Sequence, residues 1–286
     1  MIVTPKVSII IPCYNQGHFV MDALQSVSMQ TYDNYEIIVI NDGSTDPNTN
    51  DILNNLKFPK TSVISIANGG LANARNCGIA VSNGKYILPL DADDTIGISY
   101  VEQAVVYLEN NPNTQIVYCN AAFFGEQSGQ WILPDFSIEH MLRQNLIFCS
   151  AVFRRSEFNK TAGYNTNMRF GWEDWDFWLS ILKNGGDVYK IPETLFFYRK
   201  HGVSMVGDIA SQVAKRQYLE QQLIRNHTNF YMQYFPEPLT LLRELDWLRS
   251  EKENFEEVKR KIYRSWSYRL GDALLKPFKK ILSIKN

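Results

Sequence analysis

One pattern constrains this chain more than any other. Within the first ninety residues, short β-branched runs recur, and each ends abruptly in polar residues suited to holding a ligand. The runs are 7–11, 36–40, 62–66 and 86–90. They are almost continuously apolar rather than alternating, the signature of strands buried on both faces. Helical patterns separate them, at about 18–30 and 71–81. Strand–helix alternation of this kind predicts an α/β fold, a mostly parallel, Rossmann-like sheet flanked by helices. A further helix is expected at 99–110 and a strand at 115–119. The stretch 120–150 is aromatic and irregular, with Gly125 and Gly129 marking a hairpin. A helix should start at Glu173 and stop at Asn184-Gly185-Gly186, and 212–225 and 239–253 should be helical. The expected division is a nucleotide-binding and catalytic domain over 1–205 and a helical C-terminal extension over 206–286.

Composition narrows the partners. The 286 residues hold 29 Lys+Arg and 30 Asp+Glu, for a net charge of −1. Residues 259–286 hold nine bases and one acid, Asp272, so the tail carries +8 and the remainder −9. An acidic body argues against nucleic acid as a partner. A basic tail interleaved with Trp266, Leu270, Leu274, Leu275 and Phe278 suits an anionic membrane surface, with an interruption expected at Pro277. Packing on its own domain, or on a second subunit in a homo-oligomer, explains the same tail equally well. No apolar run approaches the ~18 residues of a membrane span, and no secretory pattern is evident at the start. Cys13, Cys77, Cys119 and Cys149 form no C-x-x-C pair. That argues against a disulfide framework or a zinc knuckle and fits a reducing, cytoplasmic setting, at the inner face of the membrane if the tail binds lipid.

The polar strand ends are the candidate chemistry, because ligands of parallel sheets bind beyond the carboxyl ends of the strands. Asp91-Ala92-Asp93-Asp94 follows the fourth run. Three carboxylates in four residues repel one another unless a cation or hydrogen bonds hold them, and oxygen ligands suit Mg²⁺ or Mn²⁺. The bland alternative is a solvated cap for the next helix. Asn41-Asp42-Gly43 follows the second run; Asp42 could accept the N3–H of a pyrimidine, or merely close an Asx turn. Pro12-Cys13-Tyr14-Asn15 follows the first run, with Tyr14 available to stack on a base or simply to cover the sheet end. Asn68-Gly69-Gly70 opens the helix that carries Arg75, which reads as a base or phosphate contact or as an ordinary surface arginine. Glu173 and Asp174 start a helix, where the helix dipole favours carboxylates in any case; as chemistry, a carboxylate here is a general base. Trp172 offers a platform for a sugar ring. His201 is a third metal ligand or a structural histidine.

The order and spacing of these segments resemble the family-2 inverting glycosyltransferases of GT-A fold, of the kind that build bacterial cell-surface polysaccharide. The resemblance rests on VSIIIPCYN, QTYDNYEIIVINDGSTD, NGGLANARNCGI, GKYILPLDADD and GWEDWDFWL, and spans about residues 5–205. It implies a nucleotide-sugar donor, with UDP favoured, and a saccharide or lipid-linked saccharide acceptor. It places Pro12, Tyr14, Asn15, Asp42, Asn68 and Arg75 at the nucleotide. Asp91-Ala92-Asp93 becomes the DXD motif, with Ala92 at the nucleotide and Asp91, Asp93 and His201 on Mn²⁺ or Mg²⁺. Asp94 and Trp172 fall to the sugars, Asp174 to the catalytic base and Glu173 to its support. Neither the membrane helices nor the Gln-x-x-Arg-Trp motif of processive synthases is found, so transfer of one or a few sugars is expected. Competing readings are a nucleotidylyltransferase, which would need a cationic phosphate loop after the first run, and a non-catalytic carbohydrate-binding protein.

Overall fold

The structure is a computed structural model that describes residues 6–202 and 212–281, the side chains of 276–281 excepted. The first run becomes β1 (Val7–Cys13), buried along its whole length, followed by α1 (Gly17–Ser28), β2 (Tyr35–Asp42) and α2 (Pro47–Asn54). Then come β3 (Thr61–Ile66), α3 (Leu71–Val81) and β4 (Tyr86–Pro89). These four strands form a parallel block in the order β3-β2-β1-β4. Helix α3 lies close on β1 and β2: a Cβ on Gly78 would sit 2.4 Å from Ile10 Cγ2. Helix α2 is additional to the expected elements. Pro47 occupies its first turn, and the Asp46 carboxylate accepts from the Asn48 and Thr49 amides at 3.3 and 2.9 Å.

Beyond the acid loop the sheet becomes mixed. β5 (Thr95–Ile96), α4 (Tyr100–Asn110), β6 (Thr114–Gly125), β7 (Gly129–Trp131) and α5 (Ile138–Met141) follow in order. After them run β8 (Val152–Arg154), α6 (Arg155–Phe158), α7 (Glu173–Leu182) and β9 (Asp187–Lys200). The complete order is β3-β2-β1-β4-β8-β6-β9-β5, with β7 on β6. β8 is antiparallel to both β4 and β6, while β6 and β9 run parallel. The expected hairpin exists as the β6–β7 pair. β6 extends well past Cys119, because β9 pairs with it as far as Gly125 and Lys200.

Helices α8 (Val213–Asn226), α9 (Thr228–Tyr234), α10 (Pro238–Arg264) and α11 (Trp266–Ile281) complete the chain. Two compact units are evident, one ending at Tyr231 and the other running from Met232. The boundary expected between 205 and 206 lies outside the described residues. In the first unit, α8 buries Leu219 and Leu223. In the second, α10 buries no residue. Helix α11 runs through Pro277, where an interruption was expected. A proline removes one helical hydrogen bond but leaves its own φ compatible with the helix. Among the described residues, no helix is long and apolar enough to cross a membrane.

Candidate active site

The ends of β1 and β2 are tied to each other before any ligand is considered. Asn15 adopts a left-handed backbone, φ 56°. Its Oδ1 accepts from the amides of Thr45 and Asp46, each at 2.8 Å, and its Nδ2 donates to Thr45 Oγ1. Pro12 is buried, whereas the Tyr14 side chain is exposed. The Asp42 carboxylate is buried and accepts from the Gly69 and Gly70 amides at 2.8 and 2.9 Å, while Asn68 Nδ2 donates to the Asp42 carbonyl. Each Asp42 oxygen keeps a lone pair beyond those bonds. Gly43 has φ 64°, and a Cβ there would stand 2.5 Å from the Asn68 nitrogen, so the two loops require a glycine.

Arg75 is fully buried, with no open face. Its Nη2 pairs with Asp91 Oδ1 at 2.6 Å and its Nη1 with Glu173 Oε1 at 2.5 Å. The guanidinium carbon lies 5.5 Å from the Tyr164 ring centre. Burial opposes its charge, and the two carboxylates more than offset that, holding it protonated. The arginine expected beside the base therefore joins the acid loop to the first turn of α7 in this structure.

The acid loop is crowded. Asp91 Oδ2 accepts from the Cys149 thiol at 3.3 Å. Asp93 Oδ2 lies 2.8 Å from His201 Nε2 and accepts from Gln16 Nε2 at 3.0 Å. Asp94 is buried; its Oδ1 accepts from the Arg199 amide at 2.9 Å, while its Oδ2 is buried without a hydrogen-bond partner among the described residues. Burial and then the Asp91 charge raise the Asp93 carboxyl above its usual range. Burial, Asp93 and Asp91 raise Asp94 further. Ligand atoms of Asp91, Asp94 and Cys149 lie within 4.8 Å of one another. An orphaned buried carboxylate oxygen amid mutually repelling acids is the arrangement a hard divalent cation would relieve, so the residues fit Mg²⁺ or Mn²⁺. Burial also raises the Cys149 thiol, which disfavours a soft thiolate site.

At the start of α7, Asp174 Oδ1 accepts from the Trp175 amide at 2.7 Å and Oδ2 from Asn145 Nδ2 at 3.1 Å. Enclosure by protein, then the neighbouring Glu173 charge, push its carboxyl up to about 7, with Arg75 pulling the other way. Trp172 precedes the helix in a left-handed backbone, φ 59°.

The structure thus gathers Arg75, Asp91 and Glu173 in one network and pairs Asp93 with His201. Four neighbours went unassigned in the sequence. Gln16 and Arg199 stand beside motif residues; Asn145 and Cys149 lie in the irregular 142–151 stretch, where no periodicity could single them out.

Residues 8–171 match the family described as Glycosyl transferase family 2. The chain belongs to glycosyl transferase family 2. It is an inverting glycosyltransferase. An uncharacterized glycosyltransferase of Haemophilus influenzae is 33% identical over 215 residues, covering 69% of this chain and 66% of that one. The Escherichia coli protein named UDP-Glc:alpha-D-GlcNAc-diphosphoundecaprenol beta-1,3-glucosyltransferase WfaP is 30% identical over 208 residues, covering 70% of this chain and 79% of its own length. The fold resembles that of S. aureus TarS 1–349, with a TM-score of 0.57 at 16% identity over 80% of this chain and 74% of that one. The sheet with its flanking helices is thus GT-A-like in architecture.

Proposed function

We propose that this glycosyltransferase moves a hexosyl group from a UDP-sugar to a hydroxyl of a saccharide or lipid-linked saccharide, with Asp174 as the base. One observation carries the reading. The buried Arg75 binds Asp91 and Glu173 at once, so the acid loop and the residue beside Asp174 belong to a single rigid site. The donor side is supported by the exposed Tyr14 ring and the spare lone pairs of Asp42. WfaP, whose name specifies UDP-Glc and a lipid diphosphate acceptor, supports the same choice.

In this reading Asp91, Asp93 and His201 would hold Mg²⁺ or Mn²⁺, with the buried Asp94 Oδ2, close to Asp91, turned to the same cation. When bound, the cation neutralises charge that develops on the leaving diphosphate. Asp174 Oδ2 takes the acceptor proton as the acceptor oxygen attacks the anomeric carbon. A carboxyl pushed up to about 7 suits that task, being basic enough to take a proton near neutral pH. Arg75 Nη1 pairs with Glu173 Oε1 beside it. The stretch after β1 carries no cation: Asn15 is spent on the α2 loop and Gln16 on Asp93, which disfavours the nucleotidylyltransferase reading.

Thermal shifts with UDP, dTDP, GDP, CDP and ADP, each with Mn²⁺ or EDTA, test the donor side. A ligand at 100 times its Kd stabilises by about 2.7 kcal/mol. UDP with Mn²⁺ should give the shift, and Asp93→Ala should remove its metal dependence. A shift with none of the nucleotides would favour the non-catalytic reading.

A further inference from the structure

The end of β9 grips the acid loop. β5 pairs antiparallel with β9, Thr95 opposite Phe197, so the loop enters the sheet beside the last residues of β9. Arg199 and His201 are two positions apart in extended chain, which turns both to one face and Lys200 to the other, over the Phe123 and Tyr198 rings. The Arg199 amide donates to Asp94 Oδ1 at 2.9 Å, and its Nε donates to the Asp93 carbonyl at 2.7 Å. His201 Nε2 lies 2.8 Å from Asp93 Oδ2. Arg199 thus holds Asp93 by its backbone, and His201 holds it by its carboxylate.

The guanidinium is itself fixed. Phe19 and Asp22 lie three residues apart on α1 and so share a face. Arg199 Nη2 donates to Asp22 Oδ2 at 2.7 Å. The guanidinium carbon lies 4.7 Å from the centre of the Phe19 ring and 4.3 Å from that of Phe124, its cross-strand neighbour on β6. Attraction to those π faces holds a planar cation in place. The Phe19 ring also packs on the His201 imidazole, with centroids 4.7 Å apart. Three elements, α1, β6 and β9, therefore converge on one guanidinium, and the ring that steadies it steadies the histidine as well. The Arg199 side chain is only 14% exposed, against 52% for Asp22.

We propose that Arg199 is a positioning residue for the divalent cation: it fixes the Asp93 backbone and, through the Phe19 ring it shares with His201, the imidazole, so that both ligands are set before the cation arrives. Mg²⁺ tolerates little departure from octahedral geometry, so the orientation of its ligands is felt as affinity. Partners that orient metal ligands commonly change that affinity by about 10–100-fold. The role needs the shape of arginine as well as its charge. Nε and Nη2 donate in two directions at once while the plane rests on the rings; lysine carries the same charge on a single nitrogen and has no plane to stack. The proposal rests on the assignment of Asp93 and His201 to the cation.

The test is a Mn²⁺ titration of the full chain with saturating UDP, read by electron paramagnetic resonance, which gives affinity without turnover. Arg199→Lys should weaken Mn²⁺ binding about 10–100-fold and alter the spectrum of the bound ion. A residue serving stability alone would move neither in a folded variant, and circular dichroism reports folding. Asp22→Ala, at an exposed position on α1, should weaken Mn²⁺ in the same direction by less. Asp22→Asn loses the same charge but keeps an oxygen for Nη2, and should restore the affinity. If Arg199→Lys does not fold, the two Asp22 variants carry the test. Unchanged Mn²⁺ affinity in folded Arg199→Lys, or in its absence in Asp22→Ala, overturns the proposal. So does equal weakening in Asp22→Asn and Asp22→Ala, which would assign the effect to charge rather than geometry. Failure of the unaltered chain to bind Mn²⁺ would instead overturn the metal assignment, so the two failures are distinguishable.

Discussion

At the scale of single residues, the site is governed by how few charges are left unbalanced. Asp174→Asn keeps the shape and hydrogen-bonding capacity of the side chain but removes the base. Turnover should fall ~10²–10⁴-fold, while the UDP-dependent thermal shift stays the same. An equal loss of UDP binding would show that Asp174 serves the donor instead. Since the carboxyl is pushed up to about 7, turnover should rise with pH through that value and then level off. The sign for stability is opposite. The folded state holds a proton that the unfolded chain releases above its ordinary carboxylate range, so this group favours folding at acid pH and loses that contribution as pH rises through about 7. Arg75 makes the converse case. Arg75→Met strands Asp91 and Glu173 without their partner, and breaking a buried pair costs about 3–5 kcal/mol. Adding Glu173→Gln should recover part of that loss, measured as urea midpoints in a double-mutant cycle. Additive losses would mean the pair is not coupled. Neither reading of Arg75 from sequence, surface residue or base contact, anticipated its burial. A helical pattern says which face a residue occupies, not that two acids from residues 91 and 173 converge on it.

At the scale of elements, the strand ends were legible because buried parallel strands have an unmistakable composition. β1, β2 and β4 bury nearly every residue, so their apolar runs stop where the sheet stops, and the ligand-competent residues begin there. Helix α2 was less visible. Its eight residues are mostly polar, and its cap, Asp46-Pro47, also reads as a turn. Helix α8 was expected from its pattern, but what it docks on was not. The buried Asp176–His227 contact, at 3.0 Å, decides that. Asp176→Ala should remove the acceptor shared by His227 and Asn226, costing about 1–3 kcal/mol. Amide exchange should then quicken in 213–231 while β1, β2 and β4 stay protected. Uniform acceleration would mean that α8 does not unfold separately.

At the scale of the whole molecule, two compact units differ in how they treat apolar surface. The first buries a continuous core under the sheet. The second exposes it: in α10, Leu242, Leu245, Leu248, Phe255 and Ile262 are all exposed, and Trp266 of α11 is 78% exposed. Together with a charge of +8 over 259–286, this supports the proposal of contact with an anionic membrane. Each basic residue near such a surface contributes ~1 kcal/mol. The full chain should float with vesicles containing phosphatidylglycerol and release as salt rises, and a chain ending at 258 should float far less. Equal flotation would point to protein, such as a second subunit, as the cover for this surface.

The sequence by itself determined the order of the strands along the chain, the places where each ends and the residue types waiting there. Local patterning suffices for that, since apolar runs, glycines and acid clusters are read within a few residues of one another. It also carried the family resemblance, because the motifs are local. Only the tertiary structure decided the partners. It turned Arg75 inward to Asp91 and Glu173, left Asp94 Oδ2 without a donor among the described residues, and set Asn145 against Asp174. The three contacts join residues 16, 29 and 98 positions apart, where no periodicity links them. They depend on where the sheet's strand order, β4-β8-β6-β9, brings distant loops to one edge.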